Sequence, residues 1–172
     1  MNKEQNVLNK LDEIISLLKQ ERVQPSIIKL ELEDHNFRVN SDGWKKITID
    51  SEEYLENPEK DVWELLNEKC RGEQLFTYDA AIRETEKAGK VIPSDEQFVE
   101  LKEKKDLKNV VFPGIRNTDG SFTNLGSFLL LWSSTPSGSD DACSRNLTTY
   151  YSTVFRAASS RAYGFSVRCI KI

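Results

Sequence analysis

The chain has 172 residues, with 24 Lys and Arg against 28 Asp and Glu and a net charge of -4, a size that builds one domain with a full core and needs no cross-links. No run of basic residues forms a stripe suited to phosphate backbones, so nucleic acid is not an expected partner. No apolar run approaches membrane-spanning length, and the first residues, Met1-Asn2-Lys3-Glu4-Gln5, carry charge where a secretion signal is apolar, so the expectation is cytoplasmic synthesis without membrane insertion.

Val7, Leu11, Ile14 and Leu18 are spaced four, three and four, with Leu8 and Ile15 beside them, which predicts an amphipathic helix over residues 4–22 with a heptad-like seam, ended by Pro25. An isolated helix of this length is marginal in water, so its stripe needs a partner. Sister chains, giving a homo-oligomer through residues 4–22, and the body of the same domain are the two alternatives; the bounding proline and charged outer face favour the first. Ser26 to Glu33 turns to strict alternation in its second half, Phe37-Arg38-Val39 resumes it, and Asp42-Gly43 supplies a turn before Trp44 and Ile47-Thr48-Ile49, the pattern of a small antiparallel hairpin unit. Asn57-Pro58 followed by acidic residues reads as a helix start, with Val62, Trp63, Leu65, Leu66 and Cys70 on its buried face and Gly72 closing it.

A second helix is predicted from Phe76-Thr77-Tyr78 to Ala88-Gly89. A third is predicted after the capping box Ser94-Asp95-Glu96-Gln97, with Phe98 and Leu101 facing inward. Lys102 to Lys108 reads as a solvated charged loop. From Val110 the habit changes to strands and turns: a break at Pro113-Gly114, a hairpin around Asp119-Gly120, an apolar strand at Phe128 to Trp132, and an alternating final strand at Gly164 to Ile170. The expected class is α+β, with two or three helices early and a twisted, mostly antiparallel sheet late.

Cys70, Cys143 and Cys169 match no zinc spacing and form no paired framework. Reduced thiols are the default, and a Cys70-Cys169 bridge is the alternative. His35, the only histidine, stands in the polar run Glu33-Asp34-His35-Asn36 and reads as a surface loop residue. No metal or other cofactor is expected.

One feature of composition stands apart. Lys, Glu, Gln, Trp and Met supply 40 of residues 1–132 and none of the 38 from Ser133 to Ile170, where the upstream frequency predicts about eleven. The strand preference against Lys and Glu is too mild to remove all five types, loops included.

Gly72-Glu73-Gln74-Leu75-Phe76-Thr77-Tyr78-Asp79-Ala80-Ala81, Val91 to Phe98, Gly114-Ile115-Arg116-Asn117-Thr118-Asp119-Gly120-Ser121-Phe122, Trp132-Ser133-Ser134-Thr135-Pro136-Ser137-Gly138 and Arg161-Ala162-Tyr163-Gly164-Phe165-Ser166-Val167-Arg168-Cys169 resemble the C-type-lectin-fold domains related to formylglycine-generating enzyme. More narrowly, they resemble the Fibrobacter-type major paralogous domains and the variable proteins of diversity-generating retroelements. The resemblance covers residues 72–172. It implies a C-type-lectin-like ligand-binding domain at 72–172 with a variable region at about 128–163; residues 1–71 do not share it, and are expected to be an amphipathic helix at 1–24 and an extension with a hairpin and a helix at 25–71.

In such retroelements, template adenines are copied erroneously into the C-terminal coding region, and Asn codons AAC and AAT are the favoured targets. Changing their first two bases never yields Lys, Glu, Gln, Met or Trp, the five types missing here. The resemblance makes Trp132, Ala142, Arg145, Leu147, Val154, Arg156, Arg161 and Gly164 to Arg168 scaffold. It makes Asp141, Cys143, Ser144, Asn146, Thr148, Tyr150, Tyr151, Phe155, Ala157, Ala158, Ser159, Ser160 and Tyr163 the varied, ligand-binding positions, with Phe128 and Leu130 as additions upstream.

Aromatic residues among small Ala, Ser and Thr have the chemistry of an antibody paratope, so the expected partner is a macromolecule, a protein by preference, and a basic one if Asp140 and Asp141 steer it. The alternative is a structural or surface-display module of a virion or cell, with no diversified role. A formylglycine-generating enzyme would need its reactive cysteine pair, which Cys143 and Cys169 do not match in position. Calcium-dependent sugar binding would need Glu-Pro-Asn or Gln-Pro-Asp and Trp-Asn-Asp motifs, which are absent.

Overall fold

The computed structural model describes residues 2–23 and 30–172, the side chains of 18–23 excepted. The helix expected at 4–22 forms as α1, Lys3–Val23, with its first turn capped by the Asn2 side chain, whose Oδ1 accepts from Gln5 N at 2.8 Å. Among the described residues its stripe is open: Val7, Leu8, Leu11, Ile14, Ile15 and Leu17 are 47–57% exposed. Pro25 and the strand expected from Ser26 fall largely in 24–29, outside the described residues.

The first sheet has four antiparallel strands in chain order: β1 (Lys45–Ile49), β2 (Glu52–Asn57), β3 (Val62–Leu65) and β4 (Gln74–Phe76). Ile47 to Ile49 is a strand as expected, but its partner is β2 and not Phe37 to Val39. The helix expected after Asn57-Pro58 is replaced by a turn and β3. Asn57 Oδ1 accepts from Glu59 N at 3.1 Å and Lys60 N at 3.2 Å, so the side chain closes a turn of its own in place of starting a helix. All four residues of β3 are buried. Val62 enters one apolar cluster and Leu65 another, and a short run apolar on both faces does not distinguish strand from helix by periodicity. A 3-10 helix, Glu68–Cys70, follows before Gly72. The boundary expected at residues 71–72 therefore lies inside a sheet, since β3 pairs with β4 across it.

The second helix is α2, Tyr78–Lys87, with Thr77 as N-cap and Gly89 at φ +67° after the C-cap Ala88. The third expected helix is only a 3-10 helix, Gln97–Glu100. Its capping box is present, with Gln97 N donating to Ser94 Oγ at 3.2 Å and Ser94 N to Gln97 Oε1 at 2.9 Å, and Phe98 and Leu101 are buried as expected. A two-stranded hairpin, β5 (Ile115–Arg116) and β6 (Phe122–Thr123), encloses Asp119-Gly120.

The third sheet contains β7 (Phe128–Ser137), β8 (Asp141–Thr148) and β9 (Phe155–Ser160), antiparallel, with β8 central. Leu129 and Leu131 of β7 and Leu147 of β8 pack on Phe98, Leu101 and Leu107 on one face. Leu130, Trp132 and Ala142 pack on Phe76, Phe165 and Val167 on the other. The described residues thus form an α+β protein with two α-helices and antiparallel sheets. No helix among the described residues is long and apolar enough to cross a membrane.

Gly164 to Ile170 is extended but pairs residue by residue with different neighbours, so it is not one regular strand. Gly164 bonds Arg116, Phe165 exchanges both backbone bonds with Phe76 at 2.8 and 2.9 Å, and Ser166 N donates to Leu130 O while its carbonyl accepts from Trp132 N. Phe37 N donates to Val167 O at 2.6 Å, and Ile170 N donates to Val91 O at 2.8 Å. Residues 164–169 are buried without the alternation that their sequence suggests. A Cβ on Gly164 would sit 2.9 Å from Arg116 Cβ, closer than the packing allows.

Candidate ligand-binding surface

Paired residues of an antiparallel ladder share a face. The register Phe128↔Thr148, Leu130↔Asn146, Trp132↔Ser144, Asn146↔Phe155, Ser144↔Ala157 and Ala142↔Ser159 puts Phe128, Leu130, Ser144, Asn146, Thr148, Phe155, Ala157 and Ser159 on one face. Asp141, Cys143, Ala158 and Ser160 lie on the other, with Arg145 and Arg156. The fifteen expected binding positions are therefore split between two faces and the loops.

Their exposure divides them further. Tyr150, Tyr151, Phe155 and Ala158 are exposed, and Phe128, Asp141, Asn146, Ala157, Ser159, Ser160 and Tyr163 are half-buried. Leu130, Cys143, Ser144 and Thr148 are buried at 8% exposure or less and offer a ligand no surface. Ser144 and Thr148 are small and polar, and small polar residues in sequence read as surface; the fold covers them. Cys143 sits beneath Arg156, whose Nη2 approaches its Sγ at 3.5 Å.

The exposed residues centre on the loop from β8 to β9. Tyr150 is 71% exposed, Tyr151 60% and Phe155 44%, and the rings of Tyr151 and Phe155 meet edge to face at 5.8 Å. The backbone beneath them is held. Thr148 Oγ1 accepts from both Tyr150 N and Tyr151 N at 3.3 Å. Thr149 N donates to Ser127 O, Lys104 N to Ser152 O and Val154 N to Lys102 O. Exposed aromatic area on an anchored loop is the arrangement a binding face needs, because little order remains to be imposed when a partner docks.

Most of the expected scaffold residues are structural here. Trp132 is fully buried, donates from Nε1 to Phe76 O at 2.7 Å and lies 4.2 Å from the Phe165 ring. Ala142 and Leu147 are fully buried, and Val154 packs against the Leu129-Leu147 cluster. Arg161 spans the β7–β8 turn, donating to Asp141 O and Gly138 O at 3.2 Å each. Arg168, 1% exposed, donates to Asn36 Oδ1 and the carbonyls of Lys108 and Asn109.

Arg145 and Arg156 both reach Asp95, which in sequence shows only as part of a capping box. Arg145 Nη1 meets Asp95 Oδ1 at 2.5 Å, and Arg156 Nε meets Oδ1 and Oδ2 at 3.0 and 2.9 Å. Partial burial raises the Asp95 carboxyl, but hydrogen bonds and charge from the two arginines outweigh it and hold the group below the ordinary carboxylate value.

All three cysteines are free and buried, so Cys70 and Cys169 form no bridge. Burial, with Glu33 adding and Lys90 opposing, pushes the Cys169 thiol up to about 12, and burial also raises Cys70; a protonated thiol is a poor nucleophile. His35 is exposed. Among the described residues no three His, Cys, Asp or Glu side chains gather to hold a metal ion. An open recess of about 660 Å³ runs past Asp61, Asp79, Asp140, Arg116 and Arg161. Its aromatic residue, Trp63, is buried under the Arg116 guanidinium at 3.9 Å, so it lacks the apolar lining typical of a small-molecule site.

Comparison with protein-family models, curated proteins and solved structures finds no match.

Proposed function

We propose that the outer part of the β7–β8–β9 sheet and its 149–154 loop form the ligand-binding face of a C-type-lectin-like domain, diversified by retroelement mutagenesis to bind varied macromolecular ligands, chiefly proteins. The observation that carries this reading combines composition with burial. Thirteen of the 38 positions from Ser133 to Ile170 are buried, which by itself disfavours charged side chains there; the other 25 are half-buried or exposed, where the upstream frequency predicts about seven or eight Lys, Glu, Gln, Trp or Met. None occurs. Ordinary solvent exposure gives no reason to exclude those five types together, and adenine-directed change of Asn codons does.

The ligand is macromolecular in this reading because the exposed aromatics stand on a surface and not in a pocket. Tyr150, Tyr151 and Phe155 supply rigid contact area, with Ala157 and Ser159, on the same face of β9 as Phe155, leaving room for shape. The open stripe of α1 adds self-association, which would present several faces at once, on a virion or a cell. Sedimentation of the chain with and without residues 1–24 tests this second part: the expected result is an oligomer that becomes a monomer on truncation, and equal mass per particle in both would remove it.

The decisive test of the first part is the gene neighbourhood. A reverse transcriptase gene beside a near-copy of the 3′ coding end, differing at adenines within codons 128–163, is the expected finding. A locus with neither would overturn the diversified reading.

A further inference from the structure

We propose that Asp95 is the positioning residue of this binding face: it clasps β8 and the edge strand β9 to the 93–104 segment and holds the face in binding shape before a ligand arrives. The proposal rests on reading the sheet as a binding face. Among the described residues β9 pairs with β8 alone, and an edge strand with exposed residues is prone to local opening. A face that opens must be reordered when it binds, at the expense of affinity.

The geometry places one carboxylate across two strands. Arg145 and Arg156 are directly paired in the β8–β9 register, so without a counter-ion two guanidinium groups would stand side by side. Asp95 accepts from both, and its main-chain carbonyl also takes Arg145 Nη2 at 2.9 Å. Arg145 is 4% exposed, so its carboxylate partner compensates a nearly buried charge; the Arg156 side chain is 59% exposed and lies on the solvent side of the clasp.

Asp95 is itself fixed, donating its N–H to Thr135 Oγ1 at 2.8 Å and standing within the reciprocal Ser94-Gln97 cap. The same segment then reaches the aromatic loop, where Lys104 N donates to Ser152 O and Lys102 O accepts from Val154 N, each at 2.8 Å. The segment thus grips the β8–β9 hairpin at the strands and at the loop. The charged and titratable groups facing the carboxylate are Arg145 from β8 and Arg156 from β9, with the Cys143 thiol beside Arg156.

The test uses Asp95→Asn and Arg156→Gln in the full chain. Arg156→Gln keeps the Arg145 pair and so guards against a mere folding failure. Two readouts are taken: amide hydrogen exchange, and association with a single-domain antibody selected on the intact chain whose binding is lost in Tyr150→Ala/Tyr151→Ala. The expected result is nearly complete loss of exchange protection in Phe155–Ser160 with α2 unchanged, and association about three- to tenfold slower with little change in dissociation, as a competent fraction reduced to about a third to a tenth requires. Exchange rising equally in α2 and β9, or association at the wild-type rate in both variants, would overturn the proposal. A locus without the repeat would remove the diversified role and leave both readouts as they are, so the two failures are distinguishable.

Discussion

β7 and β9 flank the same central strand and meet opposite fates. β7 carries five consecutive buried residues, Leu129 to Ser133, with a hydrophobic cluster on each face, whereas β9 has none buried and ends the sheet at solvent. One sheet therefore passes from a packed core to solvent across about 10 Å, the width of two strand spacings. A side chain changed on β9 loses few contacts, and one changed on β7 disturbs a core. Tolerance to variation follows from a strand's place in the sheet and not from its residue types.

The largest expected effect comes from breaking the β7 side. Trp132→Ala removes a fully buried ring and leaves the Phe76 carbonyl without its indole donor, and should cost about 3–5 kcal/mol in urea unfolding. A loss under about 1 kcal/mol, the scale of surface changes, would mean that β7 is not the stable partner.

Alkaline pH should have an intermediate effect. The folded Cys169 thiol is raised to about 12, while in the unfolded chain it ionises near its ordinary value of about 8.5. Above that value the unfolded state loses a proton that the folded state keeps, so stability falls as pH rises towards 12. Burial, with Glu52 and Asp50, likewise raises Tyr54 to about 12. Urea midpoints should drop between pH 8 and pH 10.5, and Cys169→Ala should start lower but fall less; parallel slopes would exclude the thiol as a cause.

The smallest effect belongs to the β9 side. Tyr150→Ala/Tyr151→Ala removes two rings that are mostly in solvent and should change stability by no more than about 0.5 kcal/mol per site, measured by thermal unfolding, while binding through the face is lost. A drop of several degrees in Tm would place those rings in a core.

Much of the architecture was legible where local chemistry and final contacts agree. The seam of α1, the Thr77 cap and Gly89 end of α2, the Asp119-Gly120 hairpin and the apolar start of β7 all form as their residues predict. β3 was misread because Val62-Trp63-Glu64-Leu65 is buried on both faces, including Glu64, which is paired with Arg38 and Gln74; a charged residue in sequence suggests a solvent face that does not exist. Gly164 to Ile170 alternates like a ladder strand because alternation is a property of side chains, whereas its hydrogen bonds are dispersed among distant segments.

Of the positions expected to vary, Tyr150, Tyr151 and Phe155 are exposed, whereas Cys143, Ser144 and Thr148 are buried, which their residue types do not announce. Which side of β8 the core would cover depends on Phe165 and Val167 from another part of the chain. Asp95 left no signal at all, since its partners lie 50 and 61 residues away. Asp140 and Asp141 stand five and four residues before Arg145, so local charge balance points away from Asp95 as the counter-ion.

The dispersed bonding of residues 164–170 also bears on how the protein is made. Phe76, Leu130, Trp132, Arg116 and Phe37 all await backbone partners from this one segment, so a nascent chain that has not yet released it from the ribosome has no complete core. Folding therefore finishes after synthesis of this segment. A premature stop or frameshift anywhere upstream of codon 164 removes the closing segment, so the truncated product lacks the backbone partners of Phe76, Leu130, Trp132, Arg116 and Phe37 and is expected to go to proteolysis.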